Sequence, residues 1–333
     1  MPDLLDGFWY PLVGALLALL VTAAATPLVR RLALKFGAVD DPRRDDRRVH
    51  KEPIPKWGGI GLFAGVLIPL LVLIPWAMPQ SLFPAYLIGV LLVGAGVVGF
   101  GVLDDLKDLS AKWQALGLLA AGVAIQFFGD RWGVVQIKGI GLPASGQDVW
   151  IDFGWLAWPL TALYIFVISK TMDTIDGVDG LASGIAAIAG GTISIIATLE
   201  DQPRVALVAA VVAGSCLGFL FFNFNPARIF LGTGGAQVLG FLLACLSVVG
   251  AFKTAAALAL LIPILVFGVP LADALQVTFR RWRVGVPVTQ ADKRHLHHML
   301  LGSGLNQRQT VLVLYVAAIL LCAALIALVV MRG

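Results

Sequence analysis

The chain has 333 residues, 59% of them hydrophobic and 13% charged, against roughly 45–50% and about 25% in soluble domains. That composition excludes a water-soluble globular enzyme, a disordered chain and a DNA-binding domain, so no nucleic-acid partner is expected. The net charge of +4 gains meaning only once the charges are placed, and the three cysteines (Cys216, Cys245, Cys322) are dispersed in apolar runs without disulfide or metal-ligand spacing.

A membrane-spanning helix needs about 20 mostly apolar residues. Ten such runs occur, near 8–28, 58–76, 84–103, 113–129, 155–171, 181–199, 205–222, 229–250, 254–272 and 310–331. They predict an all-α integral membrane bundle of about ten helices, a single polytopic domain over 1–333, because backbone in lipid must satisfy its own hydrogen bonds. The first run lacks a basic leader and a clean cleavage site, so it is expected to be a retained span. Ten spans put both termini on one side. The connections 30–57, 104–112, 170–180, 223–228 and 273–309 hold 19 of the 24 Lys and Arg, and all four histidines fall on the same side. Those connections are therefore expected in the cytoplasm and the termini outside. Between the fourth and fifth runs, 134–140 and 149–153 flank the turn-rich GLPASGQD, which predicts a small outer β-hairpin near 134–153. The apolar centres of the runs contain no Asp, Glu, Lys, Arg or His. This argues against an ion-coupled carrier and moves the chemistry to the cytoplasmic mouth.

Thirteen of the 20 acids lie in the cytoplasmic connections. In 30–57 five acids sit among nine basic residues, which reads as a solvated loop facing lipid headgroups. Asp104-Asp105 directly follows a span, with Asp108 and Lys112 behind it. Paired carboxylates there repel unless a cation is near, although a helix cap would also account for them. The run Asp173-Thr-Ile-Asp176-Gly-Val-Asp179-Gly sets three carboxylates at a three-residue spacing beside two glycines. Oxygen clusters of this kind suit Mg²⁺ completed by water and phosphate; the other reading is an Asx-rich turn. The segment NFNPARIFLGTGGA offers Asn223 and Asn225, the Arg228 fork, and exposed backbone N–H groups at Gly232, Gly234 and Gly235, although glycine is also common where membrane helices pack. Finally His295, His297 and His298 cluster beside Arg294, as a metal, phosphate or proton site or else a solvated loop helix. Carboxylates, Arg/Lys and histidines at a membrane mouth point to metal-assisted phosphoryl transfer between a phosphorylated soluble molecule and a lipid phosphate.

At these residues the chain resembles the polyprenyl-phosphate N-acetylhexosamine-1-phosphate transferases (glycosyltransferase family 4). VHKEPIPKWGGIGLF, with Lys56, looks like the family's VHxxPxPxxGGxxxF loop. GFGVLDDLKDLSAKWQALG looks like its LDD segment with a downstream Lys, here Lys112. DTIDGVDGLASG looks like NxxDGxDGLAxG, FNFNPARIFLGTGGA like FNxxPAxxFMGDxGS, and RHLHHMLLGSGLNQRQTVLVLY like the histidine loop of the teichoic-acid and common-antigen branch. The resemblance implies transfer of a sugar-1-phosphate, with N-acetylglucosamine favoured, from a UDP-N-acetylhexosamine to a polyprenyl phosphate, with Mg²⁺ (or Mn²⁺) assisting and UMP leaving. It implies a bacterial inner-membrane protein with a cytoplasmic active site, and leaves a homodimer open.

Residue by residue, the resemblance has Asp104 engage or deprotonate the lipid phosphate with Asp105 beside it, and gives Gly177, Val178 and Asp179 the uridine and Phe230 the stacking on uracil. It gives Asp176 the nucleotide and metal, and the three histidines the diphosphate and sugar. Lys56, Lys112, Asn225, Arg228 and Arg294 join the substrate contacts. Thr233 stands where the family carries a metal-binding Asp, Asp173 where it carries Asn, and Lys170 where it carries a further Asn. The expectation is that Asp173, with Asp176, holds the metal and that Lys170 adds a phosphate contact. The alternative is a lapsed paralogue that binds UDP-sugar or lipid phosphate without turnover.

Overall fold

A computed structural model describes residues 4–40, 53–77, 83–130, 133–144, 147–250, 267–284 and 296–332. In chain order these form α1 (Leu4–Lys35), β1 (Val39–Asp40), β2 (Ile54–Pro55), α2 (Gly58–Ala77), α3 (Ala85–Lys107), α4 (Ala111–Ala124), β3 (Gly139–Ala144), β4 (Gln147–Asp152), α5 (Ala157–Ile175), α6 (Leu181–Leu199), α7 (Pro203–Asn223), α8 (Gly232–Gly250), α9 (Gly268–Val284), α10 (Leu296–Gly302) and α11 (Gln307–Arg332). Eight of the described helices are long and apolar enough to cross a membrane, and they coincide with eight of the ten expected runs. The run at 113–129 differs: α4 has 14 residues and passes into a 3-10 turn at Ile125–Phe127. The run at 254–272 lies mostly outside the described residues.

α8 is the hub. α2, α3, α5, α6 and α7 all pack on it, and 89% of its apolar window is buried, against 28% for α1 and α11 at the rim. Small residues allow that centrality. A Cβ on Gly101 would collide with the Gly234 backbone, one on Gly59 with Gly235, and one on Gly240 with Ser169. The helices α2, α3 and α5 therefore approach α8 backbone to backbone, gaining dispersion contacts where lipid offers no hydrophobic drive.

Two antiparallel ribbons complete the described chain. β1 and β2 pair Val39 with Pro55 and Asp40 with Ile54, just outside α1 and α2. β3 and β4 pair from Gly139–Asp152 to Ala144–Gln147, so the strands run into the stretch expected to be turn.

Candidate active site

Two helix ends bring the acids together. α3 continues past its apolar part to Lys107, which sets Asp104 and Asp105 in its last turn. Asp108, in the left-handed region at φ 48°, stops it. α5 carries Lys170 and Asp173 in its last two turns, and Asp176 caps its C-terminus. The sequence reading put these residues in connections; they stand on helix ends instead. A helix C-terminus bears partial negative charge, so carboxylates gather there only where cations offset them.

Two lysines do so. Lys56 Nζ lies 3.6 Å from Asp40 and 3.7 Å from Asp105, whose side chain is only 3% exposed. Its backbone N–H donates to Ala38 O, and the next residue, Trp57, takes a positive φ of 77° that turns the chain into α2. Lys170 Nζ donates to Asp173 Oδ2 at 2.5 Å and to Gln114 Oε1 at 2.8 Å. Asp104 is buried and accepts from the Leu109 N–H at 3.0 Å and from Gln114 Nε2, 3.1 Å from each of its oxygens. Asp105 Oδ1 accepts from the Thr233 backbone N–H at 3.3 Å, at the N-terminus of α8. A carboxylate is favoured at that end, where the first N–H groups lack intrahelical partners.

Among the described residues no cation gives Asp176 such relief. Burial pushes its carboxyl well above the usual range, and the charges of Asp173, Asp105 and Asp179 push the same way. Among the described residues no three His, Cys, Asp or Glu side chains form a ready-made metal cage. Mg²⁺ needs none, since it takes one or two carboxylates and completes its shell with water and phosphate oxygens. Hard oxygen ligands crowded against one another fit that ion. The two expected ligands, Asp173 and Asp176, sit in the last turn and at the C-cap of α5. Thr233 lends its backbone N–H to Asp105 here.

The opposite wall is a hydrogen-bonded loop. Asp179 Oδ2 accepts from Asn225 Nδ2 at 2.9 Å and from the Ala227 N–H at 3.0 Å. Asn225 Nδ2 also donates to Gln307, and Arg308 Nε donates to the Asn225 carbonyl at 3.0 Å. Asn223 Oδ1 accepts from the Gly180 N–H and the Ser183 hydroxyl, while its Nδ2 donates to Ile229 O. Gly180, at φ 81°, opens α6, and its carbonyl accepts from Tyr315 Oη at 2.6 Å. Phe230 is pinned by its backbone, its N–H to Pro55 O and its carbonyl to the Gly58 N–H. Arg228 is exposed, and its carbonyl accepts from Arg30 Nε. Gly177 is exposed, whereas Val178 is buried in the core.

The remaining expected residues are placed differently from one another. Lys112 is exposed on α4 and pairs with no described site residue; Gln114, two positions on, is the α4 residue that enters the cluster. Gly234 and Gly235 are not an exposed phosphate cradle, because they are buried against Gly101 and Gly59. Gly232, at φ 75°, is half-buried against Asp105. Of the histidine loop, Arg294 and His295 lie outside the described residues, as do the side chains of His297 and His298, whose backbone forms α10.

Sequence reasoning missed Gln114, Gln307 and Tyr315, and it missed Asp273. Asp273 is buried on α9, and its Oδ1 accepts from the Leu296 N–H that opens α10. The available signal for Gln114 was a lone amide in an otherwise apolar helix, AKWQALGLLAAGVA.

The glycosyl transferase family 4 profile matches residues 87–251, which hold the α3, α5–α6 and α8 parts of this cluster. The chain is 35% identical over 304 residues to a probable undecaprenyl-phosphate N-acetylglucosaminyl 1-phosphate transferase of Bacillus subtilis, covering 91% of this chain and 80% of that one. It is 34% identical over 325 residues to the decaprenyl-phosphate N-acetylglucosaminephosphotransferase of Mycobacterium tuberculosis, covering 91% and 78%. It is 26% identical over 300 residues to an undecaprenyl-phosphate alpha-N-acetylglucosaminyl 1-phosphate transferase of Escherichia coli K12, covering 88% and 77%. With likeness of this extent on both chains, and a carboxylate–lysine cluster built by the matched helices, the chain belongs to glycosyl transferase family 4.

Proposed function

We propose that this protein transfers N-acetylglucosamine-1-phosphate from its UDP-linked donor to a polyprenyl phosphate in a bacterial inner membrane, with its site facing the cytoplasm. An oxygen of the lipid phosphate attacks the β-phosphorus of the donor. The bond from that phosphorus to the bridging oxygen breaks, and the electron pair leaves with UMP. The observation that carries the reading is the gathering of Asp104, Asp105, Asp173 and Asp176 around Lys56 and Lys170 at the mouth of an apolar bundle. Mixed charge of this kind receives a diphosphate and a lipid phosphate together, which a purely acidic or basic site would repel or trap.

Mg²⁺, when bound, would supply neutralisation of the charge that develops on the leaving group. Asp173 and Asp176 are the residues to hold it. Lys170, with 37% of its side chain exposed, is the cation that reaches the donor phosphates. Lys56 neutralises Asp105 and steadies the entrance to α2. A phosphomonoester is largely dianionic at pH 7, with a second pKa of about 6, so the lipid phosphate needs no strong base. Asp104, accepting from Leu109 and Gln114, orients the acceptor side. The loop of Asn225, Arg228 and Phe230, tied by Asp179, forms the nucleotide wall with Gly177. The His295, His297 and His298 loop, with Arg294, supplies the sugar and diphosphate contacts.

The test is UMP release by the purified protein given undecaprenyl phosphate, UDP-N-acetylglucosamine and Mg²⁺. Release that requires both lipid and metal is expected. Tight UDP-sugar binding without any UMP would instead make the protein a binder. Asp173→Asn should lower turnover and raise the Mg²⁺ needed for half-maximal rate; unchanged metal dependence would remove Asp173 from the metal.

A further inference from the structure

We propose that Gln114 is a positioning residue, whose side-chain amide locks the Asp104 carboxylate and the Lys170 ammonium in one register and leaves a single Lys170 N–H for the donor phosphates. This rests on the transferase reading above. α4 is wedged between α3 and α5, the two helices that carry the acids. From that wedge Gln114 reaches both. Its Nε2 lies 3.1 Å from each oxygen of Asp104, and its Oε1 lies 2.8 Å from Lys170 Nζ. Chemistry fixes the orientation of the amide. Turned over, it would set oxygen against carboxylate and NH₂ against ammonium.

The donor count gives the arrangement its consequence. An ammonium has three N–H donors. Gln114 takes one and Asp173, at 2.5 Å, takes another. The remaining donor is on a side chain that is 37% exposed, beside an Asp173 side chain that is 16% exposed. A free lysine is a point charge on a flexible four-carbon stem, and placing it costs rotamer entropy. Two fixed acceptors meet that cost before substrate arrives. On the other side, the same amide and the Leu109 N–H hold the Asp104 carboxylate, 5% exposed, in one orientation. Gln114 thus couples the acceptor side of the site to the donor side.

The experiment compares Gln114→Leu, Lys170→Met and the double variant, each purified in detergent with unfolding temperature recorded. Gln114→Leu should lower kcat by about 10- to 100-fold, the scale of loss when a reacting group is misplaced by about 1 Å. The unfolding temperature should hold. The double variant should be within about threefold of Lys170→Met alone, because the two residues act as one unit. A second reading needs no turnover. The rate at which an amine-acylating reagent labels Lys170, followed by peptide mass spectrometry, should rise several-fold in Gln114→Leu. Losses that multiply in the double variant, together with unchanged Lys170 labelling, would overturn the proposal. A wild-type protein that releases no UMP overturns the transferase reading and not the clamp, which the labelling rates then decide.

Discussion

Asn223 shows how much structure one buried amide can carry. It is 2% exposed and joins the start of α6, through the Gly180 N–H and the Ser183 hydroxyl, to the Ile229 carbonyl. Leaving such buried partners unmade costs about 1–3 kcal/mol. Asn223→Ala should lower the unfolding temperature in detergent and weaken UMP binding, both measurable without catalysis. Lys112 is the contrast. It is exposed, so Lys112→Ala should leave kcat unchanged and shift stability by no more than about 0.5 kcal/mol. Lys112 was among the expected substrate contacts because it matches the Lys downstream of the family's LDD segment. Two positions on a helix differ by about 200° in facing, so Lys112 and Gln114 point to opposite sides. α4 is apolar on most of its surface, and nothing in its pattern reveals which side faces the cleft.

The helices carry a similar lesson. Hydropathy located eight spans closely because lipid demands long uninterrupted apolar runs. It placed the helix ends poorly, since α1, α3 and α5 all continue into charged sequence. The site lies in those continuations, which is why residues expected on loops hold fixed helical geometry. The glycine-rich segment left two readings open for a related reason. Glycine serves both a phosphate cradle and a close helix crossing, and only packing separates the two. Matched substitutions on α3 test that separation. Gly101→Ala forces a methyl group into the Gly234 backbone, whereas Gly99 has open space around its Cβ position. Gly101→Ala should be destabilised by at least about 2 kcal/mol, as overpacking against rigid backbone requires. Gly99→Ala should match or exceed the parent by about 0.5–1 kcal/mol. Thermal unfolding in one detergent compares them directly.

Across the whole molecule, negative charge has been concentrated where the helix dipoles already oppose it. Asp176 records the stress: burial, then Asp173, Asp105 and Asp179, raise its carboxyl well above the ordinary 3.8. A carboxyl raised on folding favours the folded state fully below its unfolded pKa and loses that contribution as pH rises through the folded value. The metal-free protein should therefore lose stability from about pH 4 upward. A divalent cation that binds the ionised cluster should restore it. Added Mg²⁺ should raise the unfolding temperature more at pH 8 than at pH 5.5, with chelator as the reference. An equal rise at both values would mean that the ion binds elsewhere.

The loop proposed to receive the nucleotide is fastened by α11, through Gln307 to Asn225, Arg308 to the Asn225 carbonyl and Tyr315 to the Gly180 carbonyl. α11 itself starts from a reciprocal cap, in which Asn306 and Gln309 each accept from the other's backbone N–H. During synthesis, then, the site is assembled out of chain order. Lys56, the paired aspartates and the 223–231 loop all emerge from the ribosome before the element that fastens them. A nascent chain released short of residue 307 would keep the ties from Asp179 and Asn223 and lack the three from α11. The last fastenings of the loop wait for that helix.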